Sequence, residues 1–483
     1  MPQSTSPGDQ PGPECPDRQA SLTGSIKPVN FPGLYPPSIT PPEKPLGFLR
    51  FISQFVVNPL RGLPRQVYED DLTLYRPVKG LTVLWVCSPR LVEELLVGDA
   101  SNLSKSHMAK QVFADTLGDG VLTSEGALWR WQRRVMAPLF RHSEILSYVP
   151  TIAQVGEEQL AQWRQSISGS QPIDEHMTSA TFTVIMRTML VGGDRAEGEA
   201  IMRAGSDYLS RVSWEMMHAL LHLPKWVPHP ASRQMRRAAQ AMRTALSDII
   251  DRRRRSADGG TDLLARLLNA RHPETGEPMT HDQLINNLST LLEAGHETTA
   301  KALTWTLYLL ARAPEWQQSV RDEVVRVAGN MSISAEHIDK LVLTTCVLKE
   351  AMRLYPPVPV IARESSESLQ VDGVTVAAGT QIVVPIFAIH RHRKYWDDPD
   401  RFDPDRFLPE REATVPRTQF MPFGAGPRIC IGQSFAMIEA VTLLATFVRG
   451  ARFEWDGVHS PEPVSRITLR PKGGMPLTVT PLA

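Results

Sequence analysis

The chain has 483 residues, 42% hydrophobic and 22% charged, with 52 Lys+Arg against 52 Asp+Glu. That is the make-up of a soluble globular protein with a large core, and the charge balance gives a nucleic-acid backbone no basic surplus to attract. Cys15, Cys87, Cys346 and Cys430 are too scattered for a disulfide framework or a zinc site, which fits a reducing cytoplasm.

Residues 1 to about 45 hold twelve of the 40 prolines, and such a segment buries too little apolar surface to fold alone. Its first twenty or so residues are expected to be disordered, with Phe31 to Leu46 extended against one domain formed by residues 46–483. Only Arg18 is basic before Lys27 and no apolar run follows, so no secretory signal is expected. No stretch of ~20 apolar residues exists, so no transmembrane anchor is expected either. Leu46 to Leu60 comes nearest, interrupted by Arg50, Gln54 and Pro59; it predicts a short amphipathic helix packed on the domain or touching a membrane surface.

Leu81 to Cys87 predicts a strand and Leu91 to Val97 a short helix. Gly118 and Gly120 mark a loop, after which Ser124 is placed to cap a helix running to Pro138. Trp129 and Arg133, four apart, share a face of it. Residues 145–255 are helical by period, including Tyr148 to Ile167 and Gln234 to Arg255, with Arg252 to Arg255 a solvated basic helix end. Between them Trp214 to Pro230, rich in Met, Leu, Trp and Pro, suits either a lid over an apolar cavity or ordinary core packing.

Thr280 to Ala311 predicts a long central helix, with apolar residues mostly three and four apart. In its middle, Ala294-Gly295-His296-Glu297-Thr298-Thr299 sets an acid and hydroxyls on a buried surface, where they need partners. The segment reads either as a kinked core helix, with Thr hydroxyls bonding back to i−4 carbonyls, or as a groove beside a cofactor. Ser334 to Leu354 predicts another helix, with Glu350 and Arg353 on one face. Val371 to Ile389 is strand-rich, and Arg466 to Thr480 predicts a hairpin turning at Lys472-Gly473-Gly474.

Phe423 to Gly432 (FGAGPRICIG) places Cys430 in a glycine-rich loop ahead of an apolar helix. Glycines let a flat group approach the backbone. The helix N-terminus is expected to lower the thiol's pKa, and Arg428 offers a cationic fork for a carboxylate. A flat, carboxylate-bearing group whose metal takes a thiolate describes heme; an inert buried cysteine is the plain alternative.

The loop resembles the cysteine-ligand motif of the cytochrome P-450 family, Phe-x-x-Gly-x-Arg-x-Cys-x-Gly, at Phe423, Gly426, Arg428, Cys430 and Gly432. Upstream, residues 294–298 are similar to the family's oxygen-binding motif, and Glu350, Arg353 and Pro404-Asp405-Arg406-Phe407 to its Glu-x-x-Arg and Pro-x-Arg-Phe elements. The resemblance implies a mainly α fold, one large helical domain with a smaller β-rich region, and heme b between the central helix and the Cys430 loop. It implies Cys430 as the iron ligand, with Phe423, Gly424 and Gly432 beside it. Trp129, Arg133, Arg428 and Arg363 would hold the propionates, and Glu350, Arg353 and Arg406 would form a structural charge network. Glu297 and Thr298 would deliver protons; His296, at the motif's variable position, is given no role. The implied activity is monooxygenation by O2, with NAD(P)H electrons from a separate ferredoxin or flavodoxin-type donor and its reductase, docking near Arg130 and Arg134. Alternatives are a peroxide-driven or isomerising heme-thiolate enzyme and a heme sensor, against which the Glu297-Thr298 pair counts. The implied pocket, Met108, Leu122, Met216, Leu291, Ala294, Val358, Val360 and Ile467, is mostly apolar, so the expected substrate is a lipophilic fatty acid, terpenoid or aromatic.

Overall fold

The computed structural model describes residues 33–482 except 79–80, 167–168, 191–194, 222, 224–225 and 257–261. The stretch expected to be disordered lies within residues 1–32, outside the described residues. From Gly33 the chain lies along the domain. Leu34 bridges Phe402, Tyr355 donates to the Pro37 carbonyl at 2.6 Å, and the Arg65 N–H to that of Pro42 at 3.0 Å. Helix α1 (Phe48–Val57) buries Phe51 and leaves Phe48, Leu49 and Val57 exposed. No helix among the described residues is long and apolar enough to cross a membrane.

A five-stranded sheet in the order β1-β2-β5-β4-β3 forms the main β region. Its strands are β1 (Leu72–Val78), β2 (Leu81–Val86), β3 (Leu103–Lys105), β4 (Ile361–Ser365) and β5 (Gln381–Val384). Only the β2–β5 pairing is parallel. The β3–β4 register sets Lys105 opposite Arg363.

Helix α2 (Gly126–Met136) starts one residue later than the Ser124 cap predicts, with Glu125 in the cap position. Gly126, at φ 59°, turns the chain into the helix, so the Ser124 hydroxyl points inward and donates to Gln132 Oε1 at 2.8 Å. The helical layer continues through α3 (Ile173–Met189), α4 (Arg195–Ser210), α5 (Val212–Leu220) and α6 (Ser232–Arg255). Central helix α7 (His281–Arg312) opens on a capping box: the Gln283 N–H donates to Thr280 Oγ1 and the Thr280 N–H to Gln283 Oε1. It runs unbroken through Gly295, whose glycine serves packing. A Cβ there would stand 2.3 Å from Ile185 Cδ1 on α3.

Three expected elements differ. The helix read as Ser334 to Leu354 is a short turn, Ala335–Ile338, followed by α8 (Val342–Leu354). The Glu323 carboxylate accepts from the N–H groups of Leu343 and Thr344 at 2.7 and 2.8 Å, fixing a new helix start. Ile386–Ile389, read as strand, is helical. The C-terminal hairpin turns earlier than expected: β6 (Pro463–Ser465) pairs with β7 (Leu469–Pro471), while Pro476–Pro481 joins Ser170–Pro172 and Ala451–Glu454. Gly473 and Gly474 do turn the chain, at φ 85° and 79°, but between different sheets. Helix α9 (Gln433–Gly450), buried along most of its length, packs between these layers and carries the cysteine loop at its N-terminus.

Candidate heme-thiolate site

The Phe423–Gly432 loop closes on itself through a Cys430 N–H bond to the Phe423 carbonyl at 3.0 Å. Gly424 and Gly426 have φ of 78° and 70°, a region that favours glycine. At Gly426 a Cβ would fall 1.8 Å from the Leu96 carbonyl oxygen, so the loop seats on backbone that cannot move aside. Of the three described cysteines Cys430 alone is exposed; Cys87 and Cys346 are buried. Although its surface is open, Cys430 lies deep among protein atoms. Burial pushes its thiol up, against the Gly432 N–H and the Arg133 charge, which pull it down. The lowered pKa expected from the helix N-terminus is therefore corrected: desolvation outweighs the Gly432 N–H and the Arg133 charge. A metal cation's own charge is what ionises such a thiol.

Beside the cysteine stands a set of cations. Arg428 Nη1 donates to the Ser124 carbonyl at 2.8 Å, and its guanidinium lies 4.0 Å from the centre of the Trp129 ring, with Arg133 at 5.8 Å from the same ring. Burial, then the Arg363 charge, lower Arg428 to about 10. Burial also lowers Arg133 and Arg363. Lys105, which the sequence reading missed, is pushed down to about 7 by burial, Arg363 and Arg428. Nothing local marks it; it joins the group only through the β3–β4 register opposite Arg363. Glu125 is the carboxylate that offsets Lys105, Arg363 and Arg428, and it is already paired with Lys110 at 2.7 Å. Half-buried like charges with so little compensation suit a dianion. A thiol, a glycine cradle and this cation set fit a planar metal-bearing group with two carboxylates, which is heme.

On α7, Leu291, Gly295 and Thr298 are half-buried and Ala294 exposed, in the middle of an otherwise buried helix. Their spacing puts them on one face. Thr298 Oγ1 donates back to the Ala294 carbonyl at 2.8 Å, and Thr299 Oγ1 to Gly295 at 3.3 Å. Glu297 points elsewhere. Its Oε1 accepts from Thr468 Oγ1 at 2.9 Å and lies 2.9 Å from Arg470 Nε and 3.8 Å from Lys301 Nζ. Burial opposes ionisation, but Lys301 and Arg470 together hold the carboxyl at about 2. The two expected proton carriers are thus neighbours in sequence with separate hydrogen-bond partners. His296 is structural: its Nδ1 meets the Leu292 carbonyl at 2.6 Å and its ring stands edge-on to Phe182.

The charge network is assembled. Arg353 Nε and Nη2 donate to both Glu350 oxygens at 2.7 and 2.8 Å, all fully buried, and Arg406 Nε is 3.7 Å from Glu350. Of the expected pocket residues, Leu122 and Ala294 are exposed and Met108, Met216, Leu291, Val358, Val360 and Ile467 half-buried. The loop before α2 is pinned to α7 by the Val121 N–H, which donates to Asn287 Oδ1 at 3.0 Å. Gly120 leaves no room for a Cβ beside Thr290.

The chain matches the family model described as Cytochrome P-450 over residues 67–477. It is 30% identical over 412 residues to a cytokinin hydroxylase of Arabidopsis thaliana, covering 83% of this chain and 79% of that one. It is 32% identical over 382 residues to an 11-oxo-beta-amyrin 30-oxidase of Glycyrrhiza uralensis, covering 74% and 71%. Its fold matches the crystal structure of the cytochrome P450DA heme domain with a TM-score of 0.78 and 26% identity, over 92% of this chain and 99% of that one. The cysteine loop thus sits within a fold and a chain-long sequence match that agree, and the chain belongs to the cytochrome P-450 family of monooxygenases.

Proposed function

We propose that this chain holds heme b through Cys430 and inserts one atom of O2 into a C–H bond of a lipophilic small molecule. The observation that carries this reading is the convergence of the Cys430 thiol with Arg133, Arg363 and Arg428. When bound, the heme supplies O2 activation and C–H oxidation. Cys430 Sγ would take the metal, and Arg133, Arg363, Arg428 and Lys105 would neutralise the two propionates. Phe423, Gly424 and Gly432 would frame the thiolate. Leu122, Leu291, Ala294, Val358 and Val360 would exclude water around the substrate.

Thr298 Oγ1 would hold a proton at the cavity face, exchanging its bond to the Ala294 carbonyl for one to a ligand oxygen. Glu297, kept ionised by Lys301 and Arg470, carries no proton at neutral pH while so paired. It would refill Thr298 only by leaving Arg470, whose side chain is 25% exposed and so reaches solvent. Electrons would come from NAD(P)H through a separate ferredoxin or flavodoxin-type donor. Arg130 and Arg134, both exposed and one turn apart on α2, offer such an acidic protein a basic docking edge next to Arg133.

The test is product formed per NAD(P)H consumed, with a surrogate donor. Thr298→Ala should keep heme and substrate binding yet divert reducing equivalents to hydrogen peroxide. Wild-type coupling in that variant would remove Thr298 from proton delivery.

A further inference from the structure

A cavity of about 280 Å³ lies where the α4–α5 junction meets the start of α6 and the β6–β7 turn. Arg211, Arg466, Ser210, Ser213, Trp214 and Gln234 are among its walls. Ligand pockets run from about 300 Å³ upward, so this one has room for a small polar head group.

Its polar groups are set for an anion. Arg466 is half-buried, and its Nη1 donates to the carbonyls of Val56 at 3.4 Å and Val57 at 2.9 Å. Burial and the Arg470 charge lower its pKa. Arg211 likewise donates through Nη1, to the Asp207 carbonyl at 2.9 Å, to Ser210 Oγ at 3.1 Å and to the exposed Asp207 carboxylate at 3.5 Å. Ser213 Oγ is buried without a partner. Glu215, the nearest acid in sequence on α5, is already committed to His229 Nε2 at 2.9 Å and Gln111 Nε2 at 3.1 Å.

Apolar side chains adjoin this cavity. Trp214, one of its walls, and Ile467, next to Arg466 in the chain, each pack against the buried cluster of Tyr208, Leu209, Ala231, Met235 and Ala239. The β6–β7 turn ties the cavity wall to α7: the Arg466 N–H donates to the Thr468 carbonyl at 3.0 Å, and Thr468 Oγ1 donates to Glu297 Oε1 at 2.9 Å. Arg466 and Thr468 are two residues apart, so their Cα atoms are within roughly 7 Å.

We propose that this cavity anchors the head group of the substrate, and that the substrates are lipophilic carboxylates. The carboxylate is fixed between Arg211 and Arg466, and the apolar chain runs past Trp214 and Ile467 toward Ala294 and Thr298. What happens to the chain at Thr298 rests on the monooxygenase reading; anion binding does not.

Equilibrium dialysis of the full-length, heme-loaded protein against radiolabelled dodecanoate and 1-dodecanol tests this without turnover. The acid should bind about tenfold or more tighter than the alcohol, since charge-assisted hydrogen bonds are worth about 1.5–3 kcal/mol. Arg211→Gln and Arg466→Gln should each weaken dodecanoate about tenfold, leave dodecanol unchanged, and together abolish the preference. The Arg211→Lys/Arg466→Lys protein, which keeps both charges, should retain a reduced preference and guards against a folding effect at Arg466. Equal binding of acid and alcohol by the wild type, or a preference that survives the double Gln substitution, would overturn the proposal. So would a double Lys protein as indifferent as the double Gln one. Dodecanoate bound through Arg466 but never oxidised would leave the anion site standing and remove the catalytic reading instead.

Discussion

Glu293 stands one turn before Glu297 on α7, only 8% exposed, and its Oε1 has no hydrogen-bond partner. Burial pushes its carboxyl up to about 8, with the Glu297 charge adding to the effect, from 4.5 for an unburied glutamate. The folded protein therefore keeps a proton that the unfolded chain releases. Stability from this group is complete below 4.5 and is lost as pH rises toward 8. One pKa unit corresponds to about 1.36 kcal/mol, so between about pH 5 and pH 7.5 the loss comes to about 3 kcal/mol. Glu293→Gln keeps the shape and holds no titrating proton. The variant should gain on the wild type by about 3 kcal/mol across that interval, because every other titrating group cancels in the difference. Urea midpoints read by tryptophan fluorescence at the two pH values measure it. A gap between the two proteins that stays constant with pH would refute the assignment of a buried, neutral Glu293.

Arg428→Ala and Arg133→Ala should purify with substoichiometric heme, read as bound heme per polypeptide, since each removes a half-buried cation from the group proposed to hold the propionates. Gly426→Ala drives a Cβ into the Leu96 carbonyl at a positive φ and should abolish heme loading while secondary structure persists by circular dichroism. Glu350→Gln leaves Arg353 buried without its counter-charge and should cost about 3–5 kcal/mol in urea unfolding. Glu297, held near 2, stabilises the fold above 4.5 and loses that contribution as pH falls through 4.5 toward 2. Glu297→Gln should therefore be less stable than wild type at neutral pH, with the difference shrinking in an acid titration.

What the sequence made legible is what depends on near neighbours in the chain. Cys430, its glycines and Arg428 fall within ten residues, and Glu350 and Arg353 within one helical turn, so spacing alone carries their chemistry. The long period of α7 likewise survives any tertiary context. The partners of Glu297 do not: Arg470 and Thr468 come from a distant hairpin, and no local pattern joins them. Lys105 joins Arg363 and Arg428 only by strand register. Burial, which reverses the expected shift at Cys430, is a property of the packed molecule. The misplaced C-terminal hairpin has the same origin: Gly473 and Gly474 announce a turn but not which strands it serves.

The central claim is that Cys430 is the axial thiolate ligand, and the spectrum of the reduced, carbon-monoxide-bound protein tests it most directly. The wild type should show the strongly red-shifted Soret band of thiolate ligation, and Cys430→His should lose it while still binding heme. A Cys430→Ala protein that kept the thiolate band would place the ligand at another residue and contradict the account.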